Sequence, residues 1–188
     1  MNLQTIPTEI IEGSEVYGVG YEEWEAGRIF IASEIDKDGT ILDIGCANGL
    51  LLVCLEAWSG KSLDKYGIDT NGDLIIQGKE FFPDLKNNLK IAELRSIKWI
   101  EELGLPATYD YIFWNIWDNF VISEEVLDGI EEIITTRIKP GGKLLLGFYH
   151  EDKKQNVMQA EKVRKRFANT RIVHNHGENN EVMAVLIA

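Results

Sequence analysis

Short apolar segments alternate with longer amphipathic segments along most of this chain. The apolar segments have the length of β-strands and lie at 40–44, 65–69, 89–94, 109–114, 142–149, 170–175 and 181–187. Apolar residues at helical spacing predict helices at 48–58, 73–81, 96–102, 123–138 and 153–167. This alternation of strand and helix is typical of a parallel sheet that helices cover on both faces.

The C-terminal end departs from the alternation. The polar segment 176–180 separates the last two predicted strands and is too short to contain a helix. These strands therefore form a hairpin, in which one strand runs antiparallel to the rest. The pattern predicts an α/β fold of three layers, with a doubly wound, Rossmann-like sheet of about seven strands that is mostly parallel and has an antiparallel C-terminal hairpin strand.

The N-terminal segment precedes the first predicted strand. A helix is expected over 22–35, with Trp24 and Ile29 on or near one face, after a glycine-rich stretch at 17–21 that can bend. A chain of 188 residues is most simply a single domain. We expect residues 1–38 to form a helical lid and residues 39–188 to form the Rossmann-like core.

Composition narrows the classes of partner. The chain has 19 Lys and Arg against 31 Asp and Glu, a net charge of −12, and we therefore expect no nucleic-acid partner. No apolar run approaches the roughly 20 residues that cross a bilayer, and the N-terminus does not resemble a signal peptide. Two cysteines and three histidines form no disulfide framework and no metal-ligand spacing. We expect a cytoplasmic monomer or homodimer without a membrane partner or a bound metal.

The strongest candidate for a ligand site is the segment from Ile41 to Gly49, with the sequence ILDIGCANG. It reads as a buried strand that ends in a tight turn of small residues, and this turn opens a helix. Asp69 ends the next predicted strand. Ligands of open α/β sheets bind beyond the carboxyl ends of the strands. The pattern predicts a nucleoside site, with the turn backbone on one side and a carboxylate on a ribose.

The spacing of the turn residues separates the possible ligands. A phosphate-transferring mononucleotide site would show G-x-x-x-x-G-K-[ST], which the chain lacks. A dinucleotide site would show G-x-G-x-x-G, whereas the chain reads G-C-A-N-G-L from Gly45. Asp43, which precedes the first glycine, is unfavourable beside a pyrophosphate but suits a ligand that carries a cationic amino group. A dinucleotide oxidoreductase is therefore disfavoured.

Asp43-x-Gly45-x-Ala47-x-Gly49 resembles the first motif of class I S-adenosylmethionine-dependent methyltransferases, which is usually D/E-x-G-x-G-x-G. Ala47 replaces the second glycine. Four further segments resemble the family's later motifs in the same order: 67–69, 91–94, 109–115 and 138–144. The resemblance covers about residues 40–149, and the closing hairpin matches the family's reversed last strand.

This resemblance implies that S-adenosyl-L-methionine is the cofactor and S-adenosyl-L-homocysteine the product. It places Asp69 on the ribose hydroxyls, Glu93 at the adenine amino group and Asn115 near the methionine moiety. The full implied cofactor-binding set is Asp43, Gly45, Cys46, Ala47, Gly49, Asp69, Thr70, Glu93, Leu94 and Asn115.

The sequence defines the acceptor of the methyl group less well than it defines the cofactor. Methyltransferases of bases or of protein glutamine often show [DN]-P-P-[YF] from the position of Asn115, but Ile116 and Trp117 follow here. This departure argues against base methylation. Tyr21, Trp24 and Trp117 are candidate acceptor-binding residues, because aromatic faces suit a sulfonium or an apolar acceptor.

No residue is identified as catalytic. Asp118, Tyr149 and His150 lie near predicted strand ends and are candidate general bases, which are needed only for acceptors that remain protonated. The leading hypothesis is methyl transfer to a small-molecule acceptor by in-line displacement, onto oxygen, nitrogen or carbon. The alternatives are a methyltransferase of protein or RNA, and a non-catalytic adenosylmethionine-binding module that regulates a partner.

Overall fold

The computed structural model describes residues 3–14, 18–116, 121–150, 152–175 and 181–188. The chain forms two compact units, Met1–Pro106 and Ala107–Ala188. The expected organisation, a single domain with a lid over 1–38 and a core over 39–188, stays a prediction.

The first unit contains three parallel strands in the order β3-β2-β1. They are β1 (Gly39–Ile44), β2 (Leu63–Asp69) and β3 (Leu89–Ile91). Its α-helices are α1 (Thr8–Glu12), α2 (Tyr21–Ala26), α3 (Leu50–Ser59) and α4 (Gly72–Phe81). Its 3-10 helices are Leu3–Thr5, Ile29–Glu34, Pro83–Leu85 and Leu94–Leu103.

Two glycines of the first unit allow the segment after β1 to pack closely against its neighbours. A Cβ on Gly67, in β2, would lie 2.6 Å from Cys46 Sγ. A Cβ on Gly78, in α4, would lie 2.2 Å from the carbonyl oxygen of Asn48. Because real Cβ atoms do not approach other atoms so closely, side chains at these positions would push the segment away from β2 and α4.

The second unit contains four strands in the order β4-β5-β7-β6. They are β4 (Tyr109–Ile116), β5 (Ile138–Phe148), β6 (Arg171–His174) and β7 (Val182–Ile187). β4 and β5 are parallel, whereas β7 is antiparallel to both β5 and β6. The helices are α5 (Glu124–Arg137) and α6 (Lys153–Arg166). Seven mostly parallel strands, with one antiparallel C-terminal strand, confirm the predicted α/β class.

Three element boundaries differ from the sequence prediction. The expected helix over 22–35 is broken, because α2 ends at Ala26, Gly27 caps it, and a 3-10 helix begins at Ile29. The third strand stops at Ile91, and the segment after it forms a 3-10 helix rather than an α-helix. Strand β5 begins at Ile138 rather than at 142, and it includes the Pro-Gly-Gly turn as an irregularity in which Gly141 has φ +74°. Glycine tolerates this left-handed backbone.

Within the part of the chain that the structure describes, no helix has both the length and the apolar character needed to cross a membrane.

A matched pair of glycine substitutions tests the packing of α4. Gly78→Ala is expected to lower the free energy of unfolding by about 2–3 kcal/mol, since the new methyl group meets a backbone carbonyl that cannot rotate away. Gly129→Ala, in α5, meets nothing within 4 Å and should stabilise the protein by about 1 kcal/mol through helix propensity. Thermal melts of both variants would check this, and equal melting temperatures would contradict the packing.

Candidate ligand site

The segment after β1 is a turn with a left-handed backbone at three positions. Gly45 and Gly49 have φ +78°, and Ala47 has φ +50°. Among the described residues other than glycine, Ala47 alone has a positive φ. An L-residue pays roughly 1–2 kcal/mol for this conformation. The turn therefore needs a left-handed backbone at position 47, where this chain has alanine and the family motif usually has glycine.

The first three N–H groups of the turn are bonded inside the protein. Those of Gly45 and Cys46 both donate to the Ile68 carbonyl oxygen, at 2.8 and 3.0 Å. The N–H of Ala47 donates to Asp69 Oδ2 at 2.8 Å. The turn is thus fastened to β2, and these three donors already have acceptors.

Asp69 ends β2 and organises the loops around it. Besides the bond from Ala47, its Oδ1 accepts the N–H of Asn71 at 2.8 Å. The side chain of Asn71 in turn caps α4, where it accepts from the N–H groups of Asp73 and Leu74. A carboxylate offers about four acceptor positions, so these two bonds leave Asp69 with capacity for further donors.

Asp43 is a buried carboxylate on β1, next to the turn. It is 2% exposed, and its Oδ1 accepts no hydrogen bond from the described residues. Burial raises the pKa of Asp43 to about 8, and repulsion from the Asp69 carboxylate is the second cause. A buried carboxylate oxygen without a donor is costly when the group is ionised, and a cationic partner would relieve that cost. The site therefore favours a positively charged group at Asp43.

The Cys46 thiol is buried within the turn. Its Sγ donates to the Ala47 carbonyl oxygen at 3.6 Å. Burial raises its pKa well above the ordinary value, and the Asp43 and Asp69 carboxylates raise it further. A thiol in this environment stays neutral and is not a nucleophile. Its side chain fills the space that Gly67 leaves open.

The remaining predicted residues of the first unit lie after β2 and β3. Thr70 is exposed and directly follows Asp69. Glu93 is exposed and forms an ion pair with Arg95, which lowers the pKa of Glu93, and Leu94 is half-buried.

The sequence prediction missed Ile91. Its Cα is paired in register with that of Asp69 on the adjacent strand. The side chain is 58% exposed, which is unusual for a large apolar residue at a strand end. Ile91 therefore offers apolar surface one strand away from Asp69. The signal available in the sequence was its position two residues before Glu93.

Asn115 lies in the second unit, near the carboxyl end of β4. Its Oδ1 is shielded from solvent and accepts no hydrogen bond from the described residues. Trp117 and Asp118 lie outside the described residues. Tyr149 and His150 are half-buried, and His150 Nδ1 accepts the N–H of Asp152 at 2.9 Å. That bond places the proton of a neutral His150 ring on Nε2.

The structure places Tyr21 and Trp24 in an aromatic group with Trp58. The ring centroids of Trp24 and Trp58 are 5.8 Å apart, and Trp24 is 1% exposed. The hydroxyl of Tyr21 and the indole N–H of Trp58 both donate to Glu25 Oε1, at 2.9 and 2.7 Å.

This aromatic group packs against the C-terminal end of α3. Trp58 follows Gly49 by nine residues, which is roughly 13 Å along the helix axis. The contacts fasten α2 to α3, which is a structural role. Acceptor binding by Tyr21, Trp24 and Trp117 stays a prediction.

Neither a protein-family model nor a curated protein sequence matches this chain. Solved structures do match it. The N-methyltransferase NodS from Bradyrhizobium japonicum WM9, in complex with S-adenosyl-L-homocysteine, has a TM-score of 0.63 at 13% identity, and the match covers 95% of this chain and 96% of that chain.

Two further solved structures that match this chain are described as methylases of other substrates. A ribosomal protein L11 methylase from Lactobacillus delbrueckii subsp. bulgaricus has a TM-score of 0.58 at 14% identity, over 89% of this chain and 80% of that chain. An rRNA methylase from Streptococcus thermophilus has a TM-score of 0.60 at 15% identity, over 86% and 93%. The chain therefore has the Rossmann-like fold of S-adenosylmethionine-dependent methyltransferases, as predicted.

Proposed function

We propose that this chain is an S-adenosylmethionine-dependent methyltransferase that binds its cofactor at the turn between β1 and α3. The observation that carries the proposal is the buried carboxylate of Asp43, whose Oδ1 has no donor among the described residues and which lies close enough to Asp69 for the two charges to interact. Such a pair is complementary to a ligand with one cationic amino group and one ribose diol, and adenosylmethionine carries both.

The chemistry of the turn fits this ligand better than a dinucleotide. A pyrophosphate needs free N–H groups and little negative charge nearby. The N–H groups of Gly45, Cys46 and Ala47 are already bonded inside the protein. The Asp69 carboxylate would repel a phosphate, and Asp43 would add to the repulsion when it is ionised. The ammonium of a bound methionine moiety would instead supply the counter-charge that Asp43 lacks.

The neighbouring residues supply roles for the rest of the ligand. Asp69 retains acceptor positions for two ribose hydroxyls. Ile91 offers an apolar face for a purine ring, and the exposed carboxylate of Glu93 can accept from an amino group. We include Asn115 in the proposed set because its shielded amide oxygen needs a donor. Thr70 and Leu94 complete the set through their positions beside Asp69 and Glu93.

Adenosylmethionine, when bound, supplies an electrophilic methyl group on a sulfonium. The task of the protein is then to hold an acceptor atom about 3 Å away in near-linear approach and to exclude water. Such positioning requires no catalytic triad. A general base is needed only for a protonated acceptor, and of the candidates above the structure describes Tyr149 and His150. In the neutral His150 ring Nδ1 already accepts a hydrogen bond and Nε2 carries the proton, so His150 would have to give up the bond from Asp152 to act as a base.

We propose a small molecule as the acceptor. The net charge of −12 opposes binding to a nucleic-acid backbone. The most basic segment is α6, with six Lys and Arg residues in the sequence KKQNVMQAEKVRKR. Part of that charge is neutralised, since Arg164 pairs with Glu161 and Arg166 pairs with Asp128 and Glu131.

An acceptor screen tests this proposal. The protein would be incubated with adenosylmethionine and either a low-mass or a macromolecular cell fraction, and the release of S-adenosylhomocysteine would be measured. We expect release with the low-mass fraction and none with Asp69→Ala. Release only with the macromolecular fraction would support a protein or RNA methyltransferase. Cofactor binding without transfer to either fraction would support a regulatory module.

A further inference from the structure

Asn48 is a buried polar residue of the turn. Its side chain forms hydrogen bonds with residues other than Asp43 and Asp69. Its side chain is fully buried. Its Nδ2 donates to the Ile10 carbonyl oxygen at 2.7 Å and to Gln77 Oε1 at 2.8 Å. Its Oδ1 accepts the N–H of Leu50 at 3.2 Å. Asn48 thus connects the turn, the start of α3, α4 and the N-terminal helix α1.

Gln77 completes this connection from α4. Its Nε2 donates to the Glu9 carbonyl oxygen at 3.1 Å. The Glu9 and Ile10 carbonyls lie in the last turn of α1, and the Glu9 carbonyl also accepts the N–H of Gly13 at 3.0 Å. Two amide side chains from outside α1 therefore bond to its C-terminal end. We call Asn48 and Gln77 the amide clamp.

Gly13, just after α1, packs closely against the two side chains of the amide clamp. A Cβ at this position would lie 1.9 Å from Gln77 Oε1 and 2.6 Å from Asn48 Nδ2. The backbone of Gly13 has φ −67°, which any residue adopts, so only the contact with the clamp requires glycine here. Ile10 and Ile11 are buried as well, at 4% and 2% exposed. The described part of the N-terminal segment is therefore docked closely on this unit.

We propose that the amide clamp is a positioning device: docking of α1 holds the turn in the conformation that orients Asp69, and thereby raises the affinity of the adenosyl site. This inference rests on the function proposed above. Asn48 acts through its neighbour Ala47, whose strained left-handed backbone directs its N–H to Asp69 Oδ2. Undocking of α1 would remove one acceptor of the buried Asn48 amide, the Ile10 carbonyl, and would release the restraint beside Ala47.

Reciprocity follows from this coupling. If a docked α1 raises affinity for the ligand, a bound ligand must stabilise the docked α1 by the same factor. Docking can be followed separately from binding, because the amides of α1 exchange with solvent when the helix undocks. The readout is the change in α1 relative to that in α5, because a ligand slows exchange through global unfolding in all elements alike.

The experiment combines calorimetric titration with S-adenosylhomocysteine and hydrogen exchange of residues 9–13. Saturating ligand should slow this exchange in the wild type by about 10-fold or more. Asn48→Ala should raise both the Kd and the exchange rate about 10- to 100-fold, since it removes three hydrogen bonds, two of them buried. Gln77→Ala should have a smaller effect in the same direction, because the bond from Asn48 to Ile10 remains.

Gly13→Ala perturbs the clamp side chains without replacing a residue of the turn, and it should raise the Kd and the exchange rate together. Gly129→Ala is the same substitution at a position in α5 where the added methyl group meets no atom within 4 Å. It should change neither the Kd nor the exchange rate of residues 9–13. Melting temperatures identify any variant that fails to fold, in which case Gln77→Ala and Gly13→Ala decide the outcome.

Three results would overturn the proposal. Faster exchange of α1 with an unchanged Kd in the clamp variants would show that docking is not coupled to the site. A raised Kd with unchanged exchange would show that Asn48 acts within the turn alone. A wild-type protein that binds no adenosyl ligand would overturn the proposed function and this inference together, whereas the first two results leave the proposed function intact.

Discussion

Asp69→Ala is expected to weaken the binding of S-adenosylhomocysteine by about 100-fold or more. The substitution removes two acceptors for ribose hydroxyls, and hydrogen bonds to a charged group are worth about 1.5–3 kcal/mol each. It also removes the acceptor of the Ala47 N–H, so the turn loses its bond to this side chain. Calorimetric titration of the variant and the wild type would measure the loss.

Asp64→Ala is the matched control, because Asp64 lies exposed near the start of the same strand. It should bind the ligand as the wild type does. A melting curve of Asp69→Ala separates lost ligand contacts from lost structure. A folded Asp69→Ala protein with unchanged affinity would contradict the placement of the ribose.

Asp43→Asn is expected to stabilise the ligand-free protein at pH 8 and to weaken its affinity for adenosyl ligands. The folded-state pKa of Asp43, about 8, is raised above its ordinary value of 3.8. The folded state therefore binds the proton more tightly than the unfolded state does. The stability of the wild type should fall as pH rises from about 4 to about 8, by up to about 1.4 kcal/mol per pH unit from this group.

Asparagine has a similar size to aspartate and stays neutral. The stability of the variant should therefore not fall with pH through this residue. Its melting temperature should exceed that of the wild type by up to about 10–20 °C at pH 8 and by much less at pH 4. The same variant should bind S-adenosylhomocysteine at least about 10-fold more weakly at pH 8, since the counter-charge of the ligand ammonium is gone. Thermal melts and titrations across this pH range would measure both effects. A stability gain that is independent of pH would contradict a raised Asp43 pKa.

Proton release gives an independent check on Asp43. At pH 7 the carboxyl group is mostly protonated in the free protein, because its pKa is about 8. A cationic ligand favours the carboxylate, so binding should release close to one proton. Titrations in buffers with different ionisation enthalpies would detect this release. Asp43→Asn should release none, and equal release from both proteins would assign the proton to another group.

The sequence was informative wherever local pattern determines structure. Buried strands such as β1 and β4 stand out because the apolar runs are long and the neighbouring helices have a different period. The turn from Gly45 to Gly49 was recognisable because tight turns restrict residue type. Asp69 could be identified as a candidate ligand-binding residue because it ends the second strand. For this reason the α/β class and its antiparallel last strand could be predicted.

Features that depend on distant contacts could not be predicted. The bond from Asn48 to Ile10 joins residues 38 positions apart, and no local pattern indicates it. The exposure of Ile91 depends on where β3 ends and on what covers it. The burial of Trp24 against Trp58 likewise comes from the docking of α2 on α3. Periodicity predicts a helix or a strand but not which neighbour its faces meet.

Calorimetric titration of the wild-type protein with S-adenosylhomocysteine, S-adenosylmethionine and NADH tests the central claim most directly. An acidic pair at a turn whose first three N–H groups are already bonded should accept the two adenosyl ligands at micromolar concentration and reject NADH. Binding of NADH, or of none of the three, would contradict the proposed adenosylmethionine site.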